Sequence, residues 1–469
     1  MNPHIFREYD IRGIVGKELS TDVAYSIGSA FGIMLMRRNT EAKRVSVGRD
    51  VRNSSGELAS GLIEGIVSTG LNVFDIGVCP TPVQYFSLFH LNLDGGVMIT
   101  GSHNPPEYNG FKISIGKETI HGKDIQELKD IIFSDATADA PLKGSVESFD
   151  AVSEYKRYMF EQFSYLGAQD FKRLKVVVDA GNGTAGTVIP EILKAAGCDV
   201  IELYCEPDGS FPNHHPDPTV VEYIRDLIEE TKKSGADIGV GYDGDSDRIG
   251  VVDDEGNVIW GDQLMIILGR ALLKERPGAT IIGDVKCSQR MFDDIKAHGG
   301  NPIMWKTGHS LVKQKMRDEK ALLAGEFSGH IFIADRYFGY DDALYTTLRL
   351  VEIMKKTGKA VKGLLEGVPK ACFTPEIRIE CSDSLKKRVV EKVADKFKAL
   401  IGADSADCRI SATDTTDGIR VFFEKGWGLV RTSNTQPVIV IRVEAIDEIS
   451  LNNYRTFLER ELASAMEAA

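Results

Sequence analysis

A serine beside a histidine, on a turn stiffened by prolines, is the stretch of this sequence best suited to covalent chemistry. The apolar run Gly96–Ile99 predicts a short buried strand that stops just before Ser102 and His103. The prolines at 105 and 106 then prevent both a helix and further strand pairing, because they have no amide hydrogen. We therefore expect the Ser102 hydroxyl on a stiff, exposed turn, where it could act as a nucleophile. An ordinary loop at the end of a strand is the alternative.

Three aspartates at alternate positions could bind a divalent cation. Asp243, Asp245 and Asp247 would point to one side if their segment is extended, and clustered carboxylates repel one another unless a cation lies between them. Ligation by oxygen alone suits Mg²⁺. An acidic surface loop is one alternative. An EF-hand loop is another, but Arg248 occupies the position that needs glycine and Asp254 the position that needs glutamate.

Two other loops contain groups that bind oxyanions and hydroxyls. The segment Arg431–Pro437 combines a guanidinium, hydroxyls, an amide and turn-forming backbone, which together can hold a phosphate; a polar hairpin connection is the alternative. Glu326 and Ser328 alternate around Phe327, so both could face the hydroxyls of a sugar, although a surface turn would look the same. Single side chains that could join such a site, or could equally be structural, are Tyr9, Arg12, Lys112, His309 and His330.

The composition is that of a soluble globular protein with more than one core. With 469 residues, 42% hydrophobic and 27% charged, the chain exceeds the size of one domain, and we expect three or four. The net charge of −13 argues against nucleic acid or an acidic membrane as a partner, but it permits small anions in a local cationic pocket. Seven cysteines without a Cys-x-x-Cys pair, and the lack of an apolar leader or membrane-length apolar run, predict a cytoplasmic location.

The elements that must position these residues follow one pattern three times. Strands and helices alternate with short connections, which predicts mainly parallel sheets covered by helices. One helix of this pattern is expected over Val220–Lys233. In each repeat the candidate site residues described above fall at the carboxyl ends of strands, where open α/β sheets bind ligands. We predict three similar doubly wound α/β domains with parallel or mixed sheets and a smaller C-terminal α+β domain around a central cleft, spanning residues 1–151, 152–256, 257–368 and 369–469.

The C-terminal domain begins where the pattern changes, near Gly367. A strand over Phe373–Ile379 precedes a long amphipathic helix, and two short strands, Ile419–Phe423 and Val438–Val443, are separated by a turn-rich loop. A closing helix is expected from about Ser450. This order predicts an antiparallel sheet.

Taken together, four loops resemble the α-D-phosphohexomutase superfamily and, within it, the bifunctional phosphomannomutase/phosphoglucomutase branch. The segments that carry the resemblance, one in each predicted domain, are Thr100–Pro106, Asp243–Arg248, Gly325–His330 and Arg431–Pro437, with support from Tyr9–Gly13 and Lys306–His309. At the position of Phe327 the branch that handles glucosamine phosphate usually has glutamine. The apolar Phe327 is instead similar to the mannose and glucose enzymes. One departure is Ala343, where the family more often has glycine, and we expect it to affect only the local turn.

The resemblance implies a phosphoserine enzyme. Phosphorylated Ser102 would give its phosphoryl group to the free hydroxyl of a hexose 1- or 6-phosphate, and the hexose 1,6-bisphosphate would turn around and return its other phosphoryl group to Ser102. A Mg²⁺ ion bound by Asp243, Asp245, Asp247 and the phosphate on Ser102 would offset charge on the transferring group.

The resemblance also implies roles for the other candidates. His330 would move the proton of the attacking hydroxyl, because an imidazole titrates near neutrality. Arg248 and Lys112 would help to neutralise charge, and His103, Arg12 and Lys112 could share the proton transfer. The distal phosphate would be anchored by Arg431, Ser433, Asn434 and Thr435. Further substrate contacts would be Lys286, His309, Glu326, Ser328 and, near the entrance, Tyr9. The fourth domain would open and close as a lid.

Three alternatives share these features. A phosphoglucosamine mutase would act on another sugar, a sugar-phosphate phosphatase would release inorganic phosphate, and a sugar-phosphate sensor would bind without turnover. In each case the expected partners are small sugar phosphates and not nucleic acid or a membrane. The expected state is a monomer or a small homo-oligomer.

Overall fold

Four β-sheets follow one another along the chain, each with its own helices. The computed structural model describes residues 1–134, 142–168, 170–402, 408–434 and 436–468. Three units have mixed sheets with helices, and the last has an antiparallel sheet, so the predicted fold class is confirmed. Within these described parts of the chain, no helix is both long enough and apolar enough to cross a membrane.

The first domain has a sheet with a parallel centre and antiparallel strands at one side. In chain order its elements are β1 (Ile11–Ile14), α1 (Thr21–Arg38), β2 (Arg44–Arg49), α2 (Ser55–Ser68), β3 (Asn72–Val78), α3 (Thr81–His90), β4 (Gly95–Ile99), β5 (Tyr108–Ile115), β6 (Glu118–Thr119), α4 (Lys123–Phe133) and β7 (Val146–Ser148). The strand order is β1-β5-β4-β2-β3-β7, and β2 is parallel to both β3 and β4. Every residue of β4 is buried, which is why this strand reads as a continuous apolar run.

The second domain repeats the parallel arrangement and ends in a hairpin. Its elements are α5 (Ala151–Phe163), β8 (Leu174–Asp179), α6 (Ile189–Ala195), β9 (Cys198–Leu203), α7 (Arg225–Ser234), β10 (Ile238–Tyr242), β11 (Ile249–Asp253) and β12 (Val258–Ile259). The strand order is β12-β11-β10-β8-β9. Because β12 pairs with β11, the sheet of the second domain continues to Ile259.

The helix expected over Val220–Lys233 begins five residues late, at Arg225. The Asp217 carboxylate accepts hydrogen bonds from the amide and hydroxyl of Thr219, at 3.0 and 2.6 Å. These bonds hold the preceding segment in turns, which compete locally with the helix.

The third domain has a four-stranded sheet whose last connection carries the predicted hydroxyl-binding loop. Its elements are α8 (Gly261–Glu275), β13 (Thr280–Asp284), α9 (Gln289–Ala297), β14 (Asn301–Trp305), α10 (His309–Glu319), β15 (Leu323–Gly325), β16 (Ile331–Ile333), α11 (Ala343–Thr357) and α12 (Val361–Leu364). The order is β14-β13-β15-β16, and β15 is antiparallel to β16. Glu326 to His330 therefore form the tight connection of a hairpin.

The fourth domain is an antiparallel sheet with helices α13 and α14. Its elements are β17 (Cys372–Phe373), β18 (Ile377–Glu380), α13 (Lys386–Ala399), β19 (Ile410–Asp414), β20 (Ile419–Phe423), β21 (Gly426–Thr432), β22 (Val438–Ala445) and α14 (Glu448–Glu467). The order is β17-β22-β21-β20-β19, and β18 also pairs with β22.

Two predictions for this sheet are wrong. The strand expected over Phe373–Ile379 is divided into β17 and β18, because Pro375 cannot donate to the sheet and the Thr374 hydroxyl accepts the Val443 amide at 3.1 Å. The expected turn-rich loop contains β21. Its glycines hide the strand pattern and are needed for space, since a Cβ at Gly426 would lie 2.1 Å from the Glu444 carbonyl oxygen.

The first three domains share a core to which no described residue of the fourth belongs. Phe86 of α3, Val178 of β8 and Leu348 of α11 belong to one buried apolar cluster. The fourth domain has its own cluster, around Phe397. A separate small cluster, which includes Trp427, joins it to the third domain.

Candidate active site

Ser102 follows β4 closely in the chain and is buried. Only 2% of the residue is exposed, so the expected exposed turn is wrong. Its backbone is left-handed, with φ of 50°, and its amide donates to the Thr100 hydroxyl at 2.8 Å. The Ser102 hydroxyl donates to Asp243 Oδ2 at 3.0 Å, and its oxygen lies 3.1 Å from His103 Nδ1. The loop of the second domain covers the serine and orients its hydroxyl.

A buried arginine that the sequence analysis missed holds the Ser102 turn from behind. Arg52 uses all five of its side-chain N–H groups: Nε donates to Asp50, while Nη1 and Nη2 donate to four backbone carbonyls. Those carbonyls belong to Ser102, Asn104, Pro105 and Tyr108. Phe211 of the second domain lies over the guanidinium, 5.1 Å from Cζ. Arg52 is a positioning residue, because it touches the loop and not the reacting hydroxyl.

The three aspartates converge, although not for the reason expected. Their segment is a turn with Ser246 in a left-handed conformation (φ 64°), not an extended strand. Asp243 Oδ1 accepts the amides of Asp247 and Arg248, each at 3.1 Å. One carboxylate oxygen from each aspartate lies within 4.8 Å of the others. Burial, followed by the Asp247 and Asp245 charges, raises the pKa of Asp243 well above its usual range.

Lys112 balances part of this negative charge. From β5 its Nζ donates to Asp245 Oδ2 at 2.6 Å and to Asp247 Oδ2 at 2.5 Å. Burial opposes its charge, but these two carboxylates raise the pKa of Lys112 well above its usual range. Thr81 of α3 also donates to Asp245 Oδ2, at 2.6 Å. Lys112 is therefore part of the cluster and not a solvated surface lysine.

The carboxylate cluster fits a divalent cation. The Oδ1 atoms of Asp245 and Asp247 are buried and have no hydrogen-bond partner among the described residues. Unpaired buried carboxylate oxygens are costly unless a cation coordinates them. An all-oxygen site of this kind suits a hard ion.

His330 stands beside the cluster, between charged groups of two domains. Its Nε2 accepts from Arg248 Nε at 2.8 Å, and its Nδ1 lies 3.1 Å from Asp341 Oδ2. Lys313 pairs with the other oxygen of Asp341 at 3.1 Å. Asp341 was missed by the sequence analysis, since nothing in its own segment indicates that it faces a histidine. The ring of His309 lies 5.8 Å from that of His330, and burial lowers the pKa of His309 well below its usual range.

Glu326 and Ser328, which the sequence predicts to face a sugar, contact each other in the hairpin connection. Ser328 donates to Glu326 Oε2 at 3.1 Å, and the Gly308 amide donates to Oε1 at 3.0 Å. Lys286 lies at the end of the neighbouring strand β13 and pairs with Glu376 at 2.9 Å. The Glu326 carboxylate and the Lys286 ammonium are therefore both held by partners within the protein and do not extend into solvent.

The predicted phosphate loop meets the first domain through Tyr9. The Tyr9 hydroxyl donates to the Thr307 carbonyl at 2.7 Å and accepts from Asn434. Tyr9 is only 7% exposed, so it lies within the contact between domains and not at an entrance. Arg431 donates through Nε to Asp417 at 3.0 Å, another partner that the sequence did not indicate.

The other candidates of this region are placed as follows. The amide of Gln436 donates to the Ser433 hydroxyl at 3.1 Å, which closes the turn of the loop. Thr435 lies outside the described residues. Arg12 pairs with Asp10 at 2.5 Å and contacts Asn104 of the serine loop. Contacts between domains thus link candidate groups of all four: Ser102 to Asp243, Arg248 to His330 and Asn434 to Tyr9.

Comparison with known proteins accounts for this arrangement. Four domain models of one family match consecutive parts of the chain: phosphoglucomutase/phosphomannomutase α/β/α domain I over residues 3–139, domain II over 153–256, domain III over 260–372 and the C-terminal domain over 376–460. The chain belongs to the phosphoglucomutase/phosphomannomutase family. Members of this family are enzymes.

Individual members of the family are similar along the full chain. A phosphomannomutase/phosphoglucomutase of Pseudomonas aeruginosa is 44% identical over 458 residues, covering 98% of this chain and 95% of that one. A phosphoglucomutase of Neisseria gonorrhoeae is 40% identical and covers 97% and 96%. The crystal structure of a family member from Burkholderia thailandensis superimposes with a TM-score of 0.89 at 40% identity, covering 100% and 99%.

Proposed function

We propose that this enzyme reversibly interconverts hexose 1-phosphate and hexose 6-phosphate, with glucose and mannose as the sugars. The reaction passes through phosphorylated Ser102 and a hexose 1,6-bisphosphate. The observation that carries the proposal is the position of the Ser102 hydroxyl, 3.0 Å from Asp243 Oδ2 of the aspartate cluster. The names of its Pseudomonas and Neisseria relatives support the same reaction.

Mg²⁺ is the cation we propose for the cluster. Asp243, Asp245, Asp247 and the phosphate on Ser102 would hold it, and when bound it would supply positive charge to offset that of the transferring phosphoryl group. The buried, unpartnered carboxylate oxygens support this assignment, as does their all-oxygen character.

The chain's own residues then have defined tasks in the first transfer. A sugar hydroxyl oxygen bonds to the phosphorus as the bond from phosphorus to Ser102 Oγ breaks. Lys112 and Arg248 stabilise the equatorial charge. The hydroxyl proton passes to His330 Nε2, which must first exchange its 2.8 Å contact with Arg248 for the sugar. The Ser102 Oγ that leaves the phosphorus takes up a proton through His103, whose Nδ1 lies 3.1 Å away, and Arg12, which contacts Asn104, supports this transfer.

The second transfer reverses these steps after the bisphosphate has turned around. Glu326 and Ser328 would read the 3- and 4-hydroxyls, which present nearly the same pattern in both orientations. Glucose and mannose differ only at C2, so both should be accepted. The distal phosphate would be held by Arg431, Ser433, Asn434 and Thr435, with further contacts from Lys286, His309 and Tyr9. The separate core of the fourth domain is consistent with a lid that opens for this step.

The experiment that tests the function replaces the nucleophile. Ser102→Ala should abolish conversion of glucose 1-phosphate to glucose 6-phosphate while sugar-phosphate binding stays measurable by calorimetry. Ser148→Ala, on an exposed strand, is the control and should keep normal turnover. Normal turnover by Ser102→Ala would contradict the assignment. Release of inorganic phosphate by the wild type without isomerisation would identify a phosphatase instead.

Sugar preference is tested with three substrates. Rates on mannose, glucose and glucosamine 1-phosphates, with a trace of bisphosphate, should be high for the first two and low for the third. A cytoplasmic location and a monomeric or small homo-oligomeric state stay predictions from the sequence.

A further inference from the structure

A stack of two aromatic rings and one arginine joins the hydroxyl-binding loop (residues 326–330) to the fourth domain. Phe327 lies in the middle: the Trp260 ring is parallel to it within 18° at 5.4 Å, and Arg442 Cζ lies 3.5 Å from its centroid. Trp260 precedes α8 in the third domain, whereas Arg442 lies on β22 in the fourth. The Arg442 side chain is 1% exposed.

The loop that carries Glu326 and Ser328 is also supported from within the third domain. Phe327 stands between these residues, and its amide donates to Asp284 Oδ1 at 3.2 Å. The start of α8 abuts the same loop, since a Cβ at Gly261 would lie 2.3 Å from the Glu326 carbonyl oxygen. Both of these supports belong to the third domain. The support on the remaining face of the Phe327 ring is the guanidinium from the fourth domain.

A role in holding the third and fourth domains together does not explain why a charged residue, Arg442, lies at this interface. Arg442 Nε and Nη1 are buried and have no hydrogen-bond partner among the described residues, and its nearest carboxylate, of Asp262, is 3.6 Å away. Burial of a cation costs several kcal/mol, while a desolvated cation–π stack recovers only about 2 kcal/mol. An apolar side chain would hold the domains together at a smaller cost.

Another arginine at the same interface shows the contrast. Arg420 also lies on a ring, 3.7 Å from the centroid of Trp427, but its Nη1 donates to the carbonyls of Val285 and Cys287 at 2.8 and 2.9 Å. Arg420 thus makes hydrogen bonds that anchor one domain to the other. Arg442 lies closest to the Phe327 ring, at 3.5 Å, while the centroids of Trp427 and Phe373 are 5.5 and 5.8 Å from its Cζ.

We propose that Arg442 is a positioning residue for sugar recognition: its stack on Phe327 makes the placement of Glu326 and Ser328 depend on the docking of the fourth domain. This inference rests on the proposed function, because it takes those two residues to read sugar hydroxyls. Arg442 lies on β22, and the neighbouring strand β21 carries the proposed phosphate anchor Arg431. Hydroxyl recognition and phosphate recognition are therefore coupled through one rigid pair of strands.

The test measures hydroxyl discrimination and not activity alone. Glucose 1-phosphate and its 4-deoxy analogue are compared by kcat/KM, and the wild type should prefer the natural sugar. Arg442→Met, which keeps length but loses the flat cation, should reduce this preference by about tenfold. Phe327→Leu should reduce it similarly, and the double variant should lose no more than either single variant.

Arg420→Met is the matched control, since it weakens the same interface without touching Phe327. It should lower kcat/KM for both sugars by the same factor and leave their ratio unchanged. If Arg442→Met keeps the wild-type ratio of kcat/KM for glucose 1-phosphate to kcat/KM for the 4-deoxy analogue, whatever its absolute rate, the inference is overturned. If Arg442→Met fails to unfold cooperatively on heating, Phe327→Leu carries the test, and a wild-type ratio there overturns it equally. If the wild-type enzyme does not distinguish the two sugars, Glu326 and Ser328 do not recognise the 4-hydroxyl, and the inference about Arg442 is refuted as well.

Discussion

The hydroxyl of Ser102 is placed by residues that the reaction itself does not use. Arg52 saturates its five donors on Asp50 and on carbonyls of the serine loop, and so holds that loop in a left-handed turn. A bidentate planar guanidinium can do this, whereas an ammonium cannot. Nucleophile placement therefore depends on a side chain about fifty residues earlier in the chain.

Arg52→Lys should lower kcat by about 100-fold with little change in KM, because a displacement of the nucleophile by about 1 Å has an effect of that size. Steady-state kinetics on glucose 1-phosphate measures it. Arg49→Lys is the control, because Arg49 pairs with Asp75 at 2.7 Å and does not contact the loop. Equal losses in the two variants would show that Arg52 acts only through general stability.

The sequence predicted the residues that take part in the reaction better than the residues that hold them in place. Ser102 and the aspartates are recognisable because their types and spacing already have chemical meaning. Arg52, Asp341 and Asp417 are not, since each acquires its role only when it meets a residue far away in the chain. The expected exposure of Ser102 failed for the same reason: its cover comes from another domain.

At the scale of elements, the site is built where strands end. β4 ends before Ser102, β10 before Asp243 and β15 before Glu326. Buried parallel strands are apolar along their whole length, so their ends were visible in the sequence. β21 was missed because glycines interrupt its pattern. Lys112, on β5, could not be placed from its own segment, because its partners lie in another domain. A buried lysine is stable there only because of carboxylates supplied by the second domain.

The start of α10 gives a test at this scale. Gly308 has φ of 132°, its amide donates to Glu326, and a Cβ there would lie 2.5 Å from Tyr9 Cζ. Gly308→Ala should therefore displace both contacts and reduce kcat/KM by about tenfold or more. Gly299→Ala also has a positive φ (82°) but open space around it, so it should cost only about 1 kcal/mol of stability and leave kinetics unchanged. If Gly308→Ala behaves like Gly299→Ala, the contact with Tyr9 is not needed.

At the scale of the whole molecule, domains are joined by two different kinds of contact. The first three share an apolar core, and the fourth joins through aromatic rings, arginines and the Tyr9 contact. The order of the domains and their fold classes could be predicted from repeated patterns. How they pack could not, because the residues of the interfaces, such as Phe327 and Trp427, look like ordinary core residues in the sequence.

The interface of the second and third domains should respond to acid. Glu352 of α11 is bound by Arg336 and Lys356 and by Tyr165 of the second domain. Burial alone would raise its pKa, but Arg336 and Lys356 lower the pKa of Glu352 from 4.5 to about 2. Because the pKa of Glu352 is lower in the folded state, its ionised carboxylate stabilises the protein at any pH above the unfolded-state pKa of 4.5. This stabilisation is lost as the pH falls from 4.5 toward about 2.

Glu352→Gln should therefore lower stability by roughly 3 kcal/mol at neutral pH and flatten the loss of stability in acid. Urea unfolding followed by circular dichroism between about pH 7 and pH 3 measures both effects. The exposed Glu366→Gln should keep the wild-type dependence. Parallel curves for Glu352→Gln and the wild type would contradict the assignment.

The most direct measurement follows a phosphoryl group. The enzyme is loaded with radiolabelled hexose 1,6-bisphosphate, freed of sugar, digested and mapped, and a second portion is chased with unlabelled glucose 6-phosphate. The label should be found on the peptide that contains Ser102 and should move to the sugar during the chase, giving bisphosphate. Label on another peptide, or its release as inorganic phosphate during the chase, would contradict the account.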